Sequence, residues 1–270
     1  VDIPHCADYN GADQEGISMS QATIANGRRM STAHCYLGPA RNRANLQIVT
    51  GAFTEKLTFD GARCTGVHYR RGSDLHQVKA NREVVISGGT INSPQLLELS
   101  GIGQEGRLRD AGIAVQCELP GVGENLRDHY APRTRWSIGA PGVTYNDLGR
   151  GFGLVKQAMR YLFTRKGMLG IPAAPIRAFV KSREGLEAPD VLLGWVPMLY
   201  EPGQKISRTA GVTCYAHPMR PDSTGHIHIR SSEAREAPAI NFNFLSSPLD
   251  QTLAVRAVRI AQGLMTAPAM

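Results

Sequence analysis

The chain has 270 residues, long enough to bury a sizeable core in one large domain or two modest ones. A hydrophobic fraction of 42% and a charged fraction of 20% describe an ordinary globular protein, and no apolar run is long enough to span a bilayer. The net charge of +7 comes from scattered basic residues with few aromatics, which argues against a nucleic-acid surface and for a mildly basic enzyme surface.

The opening, through about Arg43, is polar and poor in strand patterns, with a short helix expected around Ser31 to Leu37. "LQIVTG" then reads as a strand. "FTEKLTF" alternates, placing Phe53, Glu55, Leu57 and Phe59 on one face, and Asp60-Gly61 is a strong hairpin signal before the return strand "CTGVHYRR". "HQVK" and "EVVIS" add two strand pieces. Ser93-Pro94 predicts a helix start, with Ser as the cap and Pro in the first turn, and "PQLLELS" suits a helix that Gly101 ends. A short helix follows at "EGRLRDAG", then the loop "LPGVGENLRDHY".

Composition changes again near residues 130–140. "FGLVKQAMRYLFTRKG" has helical spacing, with Phe152, Val155, Met159 and Leu162 on one side. "DVLLGWVPMLY", "AGVTCYAHPM" and "HIHIRSS" read as strands of a second sheet. "SSPLDQTLAVRAVRIAQGLM" predicts a capped amphipathic helix whose apolar side carries Leu253, Val255, Val258, Ile260 and Leu264. Five widely spaced cysteines without a C-x-x-C pair predict no disulfide framework, a reducing, cytoplasmic setting, and no metal centre. The chain starts without Met and stops inside a helical pattern, so an internal portion of a longer protein is expected.

"GIGQEG", Gly101 to Gly106, spells the G-x-G-x-x-G of a dinucleotide turn, and Glu124 and Asp128 lie at the distance of a ribose-binding acid. That turn requires a strand before the first glycine. Here a helix precedes it, so the glycines are expected to end a helix and not to cradle a pyrophosphate. The better order of strand, glycine and helix lies upstream, at "EVVIS", Gly88-Gly89 and Ser93; it fits either backbone donors for a ligand or an ordinary tight turn.

"GGTINSPQLLELSGIG" resembles the second signature of the glucose-methanol-choline (GMC) oxidoreductases. The flanks agree: the segment from Asn10 to Gly72 is similar to choline-dehydrogenase-like members, as are "LPGVGENLRDHY" and "RPDSTGHIHIRSSEAREAPAINFNFLSSPLD". The resemblance implies an α/β fold, α+β in its second part. A portion of an FAD-binding domain at 1–135 would precede a substrate-binding portion at 136–270, with an antiparallel sheet and helices. It implies FAD as cofactor, with Phe53 near the adenine and Ser87, Gly88, Gly89, Thr90, Asn92 and Ser93 near the flavin or its phosphate chain. It implies oxidation of a small alcohol to an aldehyde or ketone, with the catalytic His beyond Met270, so none of the eight histidines is assigned as the base. The family pattern has Arg where this chain has Thr224, which puts any arginine-dependent contact there in doubt. A binding domain that kept the fold without the chemistry is the alternative. Oligomeric state and membrane association stay open.

Overall fold

The computed structural model describes residues 3–140, 142–201, 203 and 205–268. Val1, Asp2 and Met270, at the outer limits of the portions 1–135 and 136–270, lie outside the described residues. In chain order come β1 (Gly16–Met19), β2 (Ile24–Ala25), β3 (Arg28–Arg29), a helical turn at Ala33–Leu37 and α1 (Gly38–Ala40). Next are β4 (Phe53–Asp60), β5 (Arg63–Arg71), β6 (Asp74–Lys79), α2 (Gly89–Leu99), β7 (Ile102–Gly103), α3 (Glu105–Asp110) and β8 (Cys117–Glu118). β9 (Arg133–Ser137), α4 (Tyr145–Leu148), α5 (Gly151–Thr164), β10 (Ile176–Val180), β11 (Val191–Val196) and β12 (Gly211–Pro218) follow. β13 (His226–His228), β14 (Ala239–Asn241) and α6 (Pro248–Met265) close the series. The result is a mixed α/β protein with antiparallel sheets and helices, and no helix among the described residues is long and apolar enough to cross a membrane.

Two compact units emerge, and neither is one stretch of chain. The first comprises Val1–Arg43, His129–Asp222 and Ser247–Met270; the second comprises Ala44–Asp128 and Ser223–Ser246. The composition change near residues 130–140 falls close to one of these crossings, while the excursion through 223–246 leaves no such mark.

The first unit is built on a five-stranded antiparallel sheet in the order β1-β10-β11-β12-β9. Alternation sorts its residues by face. One face presents Ala178, Val180, Val191, Leu193, Cys214 and Ala216, which pack against Ala257, Ala261 and Met265 of α6. Burial pushes the Cys214 thiol up to about 12, so it stays a neutral core group. The other face carries the register row Ser18, Arg177, Gly194, Tyr215 and Arg133. Gly194 is required there: a Cβ at this position would come within 2.2 Å of the Tyr215 ring, which lies over it.

Several expectations change in this unit. The opening segment, read as poor in strands, supplies edge strand β1, whose four residues are too few to show a period. The histidine strand does not join this sheet: β13 pairs with β14 and belongs to the second unit. α6 does start on a Ser247 cap, whose hydroxyl accepts from the Leu249 N–H at 3.2 Å. Of its predicted apolar side, Leu253 is buried and Ile260 and Leu264 pack against the core, while Val255 is 52% exposed. Ala257 and Ala261 pack against the sheet, where small side chains let helix and sheet approach closely. The predicted apolar side of α5 is exposed throughout: Phe152, Val155, Met159 and Leu162 all face outward.

In the second unit β4, β5 and β6 form an antiparallel meander, and Asp60 pairs with Arg63 around Gly61 at φ +55°. Register shifts at Thr54/Lys56 and Thr58/Phe59 break strict alternation, so of Phe53, Glu55, Leu57 and Phe59 only Leu57 is buried. "LQIV" and "EVVIS" form no strand, and Ile48, Val49 and Val85 are exposed. α2 begins at Gly89, four residues before the expected Ser93 cap, and Pro94 lies inside it. Pro94 therefore forgoes one helical hydrogen bond, the loss a helix start would have avoided. α2 ends at Leu99, where Gly101 takes φ +85° and its N–H reaches the Glu98 carbonyl at 2.9 Å. A Cβ on Gly101 would sit 2.4 Å from the Ala114 oxygen. "GIGQEG" is thus a helix terminator leading into the short parallel pair β7–β8.

The α6 packing sets a test. Ala261→Leu forces a larger side chain against the sheet and should cost about 1–3 kcal/mol in denaturant unfolding, while Val255→Ala on the exposed side costs well under about 1 kcal/mol. Equal effects would contradict this assignment of the buried face.

Candidate functional site

The start of α2 is an open helix N-terminus. Gly88 stands at the N-cap without a side-chain cap, Gly89 follows at φ +80°, and no acidic residue sits in the first turn. An uncapped helix start presents up to four N–H groups without helical acceptors, here on Gly88 to Ile91, and its dipole favours negative charge. A Cβ at Gly89 would meet nothing within 4 Å, so the backbone there borders open space. At Gly88 the same atom would crowd Asn92 and Ser93 at 3.2–3.3 Å.

Two cavities flank this start. One, of about 370 Å³, lies between β4, the segment 84–88 and α2; Phe53, Ser87, Gly88 and Asn92 line it. The other, of about 710 Å³, is lined by Thr90, Ser93 and Pro94 of α2 and by the loop from Gly121 to Arg127. The seven residues singled out in the sequence therefore gather around one helix end, divided between its two sides, with Gly89 between them. Phe53 is half-exposed, and the Arg235 guanidinium stands over its ring at 4.9 Å.

What holds these walls was not foreseen. Glu98 of α2 is fully buried. Its Oε1 meets His228 Nδ1 at 2.7 Å, and its Oε2 accepts from the Ile229 N–H at 2.8 Å. His228 Nε2 lies 3.0 Å from Glu124 Oε1, which also accepts from Gln104 at 2.7 Å. One imidazole thus ties α2 to the loop that forms the opposite wall of the larger cavity. The approach depends on Gly123 at φ +81°, where a Cβ would sit 2.7 Å from His228 Nδ1. Burial raises the Glu124 carboxyl pKa, but bonds from Gln104 and His228, with the charges of His228 and His226, outweigh it and hold it below the usual range. The sequence signal was present in "GVGENL" and "HIH", but nothing local links those stretches to Glu98. The helix is further pinned by Ser100, whose Oγ accepts from the Leu57 N–H at 2.9 Å and donates to the Leu96 carbonyl at 2.6 Å.

The first unit is thus an antiparallel sheet packed on a helix, and in the second a helix start opens between two cavities, which together define a mixed α/β protein. The chain resembles the GMC oxidoreductases: a family model described as GMC oxidoreductase matches residues 3–131. An oxygen-dependent choline dehydrogenase of Staphylococcus aureus is 35% identical over 268 residues, which cover 97% of this chain and 46% of that protein. The chain thus spans about half the length of the curated relatives it matches. Among solved structures, a formate oxidase of Aspergillus oryzae RIB40 superposes with a TM-score of 0.89 at 23% identity, covering 98% of this chain and 51% of that one. A pyridoxine 4-oxidase from Mesorbium loti gives 0.83 at 20% identity, covering 98% and 48%.

His228→Leu leaves a buried carboxylate unpaired and should destabilise the fold by about 3–5 kcal/mol, read by chemical denaturation. Glu98→Leu combined with His228→Leu should cost less than the two single changes added together. Additive losses would show that the two side chains are not coupled.

The Glu124 carboxyl, lowered in the fold, adds stability above its unfolded pKa of about 4.3, and this is lost as pH falls through the folded value. Unfolding midpoints followed from about pH 7 to about pH 3 should therefore fall less steeply at the acid end in Glu124→Gln. An unchanged acid slope would contradict the lowered value.

Proposed function

We propose that the chain contributes part of the cofactor site and part of the substrate side of an FAD-dependent enzyme that oxidises an alcohol to an aldehyde or ketone. The observation that carries this is the open start of α2 between two cavities. A pyrophosphate needs backbone donors that a side chain does not crowd, and Gly88 to Ile91 offer them. Small residues at Ser87, Gly88 and Gly89 let an extended cofactor approach the backbone, while Thr90, Asn92 and Ser93 add hydroxyl and amide partners. Phe53 gives one apolar wall. Bound flavin would supply the hydride acceptor.

The cofactor role falls to residues 44–128 with 223–246, and the substrate role to the five-stranded sheet of the first unit. The base that removes the hydroxyl proton lies outside this chain, so the chain alone has no turnover. The exposed β-branched stretches at Ile48–Val49 and Val85 fit the same reading, as strands that further chain would pair.

FAD titrated into the chain should bind weakly, with Kd of about 10 μM or above, and Gly89→Val should weaken it by about tenfold or more. Dye reduction with choline or benzyl alcohol should be absent. Flavin affinity indifferent to Gly89→Val would remove the assignment of the α2 start, and turnover by the chain alone would remove the placement of the base.

A further inference from the structure

The face of the five-stranded sheet turned away from α6 is unusually cationic. Arg177 of β10, Tyr215 of β12 and Arg133 of β9 share one register row, with Gly194 of β11 between the first two. Because Gly194 has no side chain, the Tyr215 ring lies flat across it, on the side of Arg177. One row along, Arg135 pairs with Thr213. Arg133, Arg135, Thr213, Tyr215 and Glu201 line a cavity of about 330 Å³.

Arg177 provides a second, independent sign. Its Nε is buried and has no hydrogen-bond partner among the described residues. A buried guanidinium donor left unpaired is costly, and native structures rarely keep one without a water or ligand acceptor. Neighbouring charge says which acceptor fits. Three arginines against Glu201 leave a local charge of +2 (three minus one) across the row and its cavity. A planar guanidinium matches a carboxylate or phosphate with paired donors.

A quaternary ammonium has the opposite requirements. It carries positive charge, accepts no hydrogen bond, and is bound by aromatic faces without nearby cations. Tyr215 offers an aromatic face, but between arginines on both sides.

We propose that this sheet face binds the anionic group of a hydroxy-acid substrate, with Arg177 and Arg133 on the oxyanion and Tyr215 packing against its body. The chain's preferred alcohol thereby differs in charge from choline. Calling the ligand a substrate rests on the reading of the chain as an alcohol-oxidising enzyme; the binding of an anion at this face does not.

Calorimetric titration of the chain with 4-(hydroxymethyl)benzoate, benzyl alcohol and choline tests it. The carboxylate should bind about tenfold or more tightly than benzyl alcohol, with choline weakest. Arg177→Gln and Arg133→Gln should each lower carboxylate affinity by about fivefold or more, and Arg177→Lys, which keeps charge without the fork, by a smaller factor. Arg82→Gln, an exposed arginine of the second unit, serves as the control for general surface charge and should change nothing. Circular dichroism identifies any variant that fails to fold, and Arg177→Lys then carries the comparison. Choline or benzyl alcohol binding as well as the carboxylate would overturn the proposal. So would an equal loss in Arg82→Gln. An FAD titration of the same sample separates the two readings: no flavin binding with intact carboxylate binding sinks the enzyme assignment alone, and the converse sinks the anion site alone.

Discussion

Glu98 has no contact with water, and that constrains everything around it. A buried carboxylate is tolerated only when its lone pairs are met. Here they are met by His228 and by the Ile229 N–H, both delivered by a segment far along the chain. His228 in turn reaches Glu124, so helix, loop and strand are drawn to one point. Gly123 and Gly103 let the backbone come close enough: a Cβ on either would press on His228 or on Glu98. The walls of the larger cavity are therefore set by an ionic cluster behind them and not by apolar packing alone.

The first unit solves its architecture differently. Its sheet is two-sided, and strand alternation separates the functions of the sides. Alanines of α6 allow a close, dry contact on one side, where Leu193 and Val191 are fully buried. On the other side a glycine lets an aromatic ring lie flat among arginines. The same strands, read one residue out of register, would exchange these faces.

Much of this was legible in the sequence where the signal is local. The hairpin at Asp60-Gly61, the Ser247 cap and the glycine that stops α2 depend on backbone geometry that a few residues specify. The gathering of Phe53 and the 87–93 stretch around one helix end followed from a family resemblance, not from periodicity. Misreadings occurred where partners decide. Ser93-Pro94 looked like a start because proline is tolerated there, yet Gly88-Gly89 turned the chain earlier and the helix absorbed the proline. The period of α5 specified a helix but not what would cover Phe152 or Leu162. "HIHIRSS" was recognisable as a strand, while its partner β14 and its three-residue length were not. The Glu98–His228–Glu124 cluster had no sequence signature, since its members are joined only by the tertiary fold.

The threading of the chain between units has a consequence for how the protein is made. β1 is an edge strand whose partner β10 is synthesised long after it, with nearly the whole second unit in between. The second unit in turn lacks β13, and so lacks the His228 partner of Glu98, until the segment after Asp222 is in place. α6, which covers the apolar face of the first sheet, comes last. Both cores depend on contacts distant in sequence, the kind that slow folding and prolong exposure of unpaired strands. Until those contacts form, the strand edges of each unit stay open to pairing with another chain.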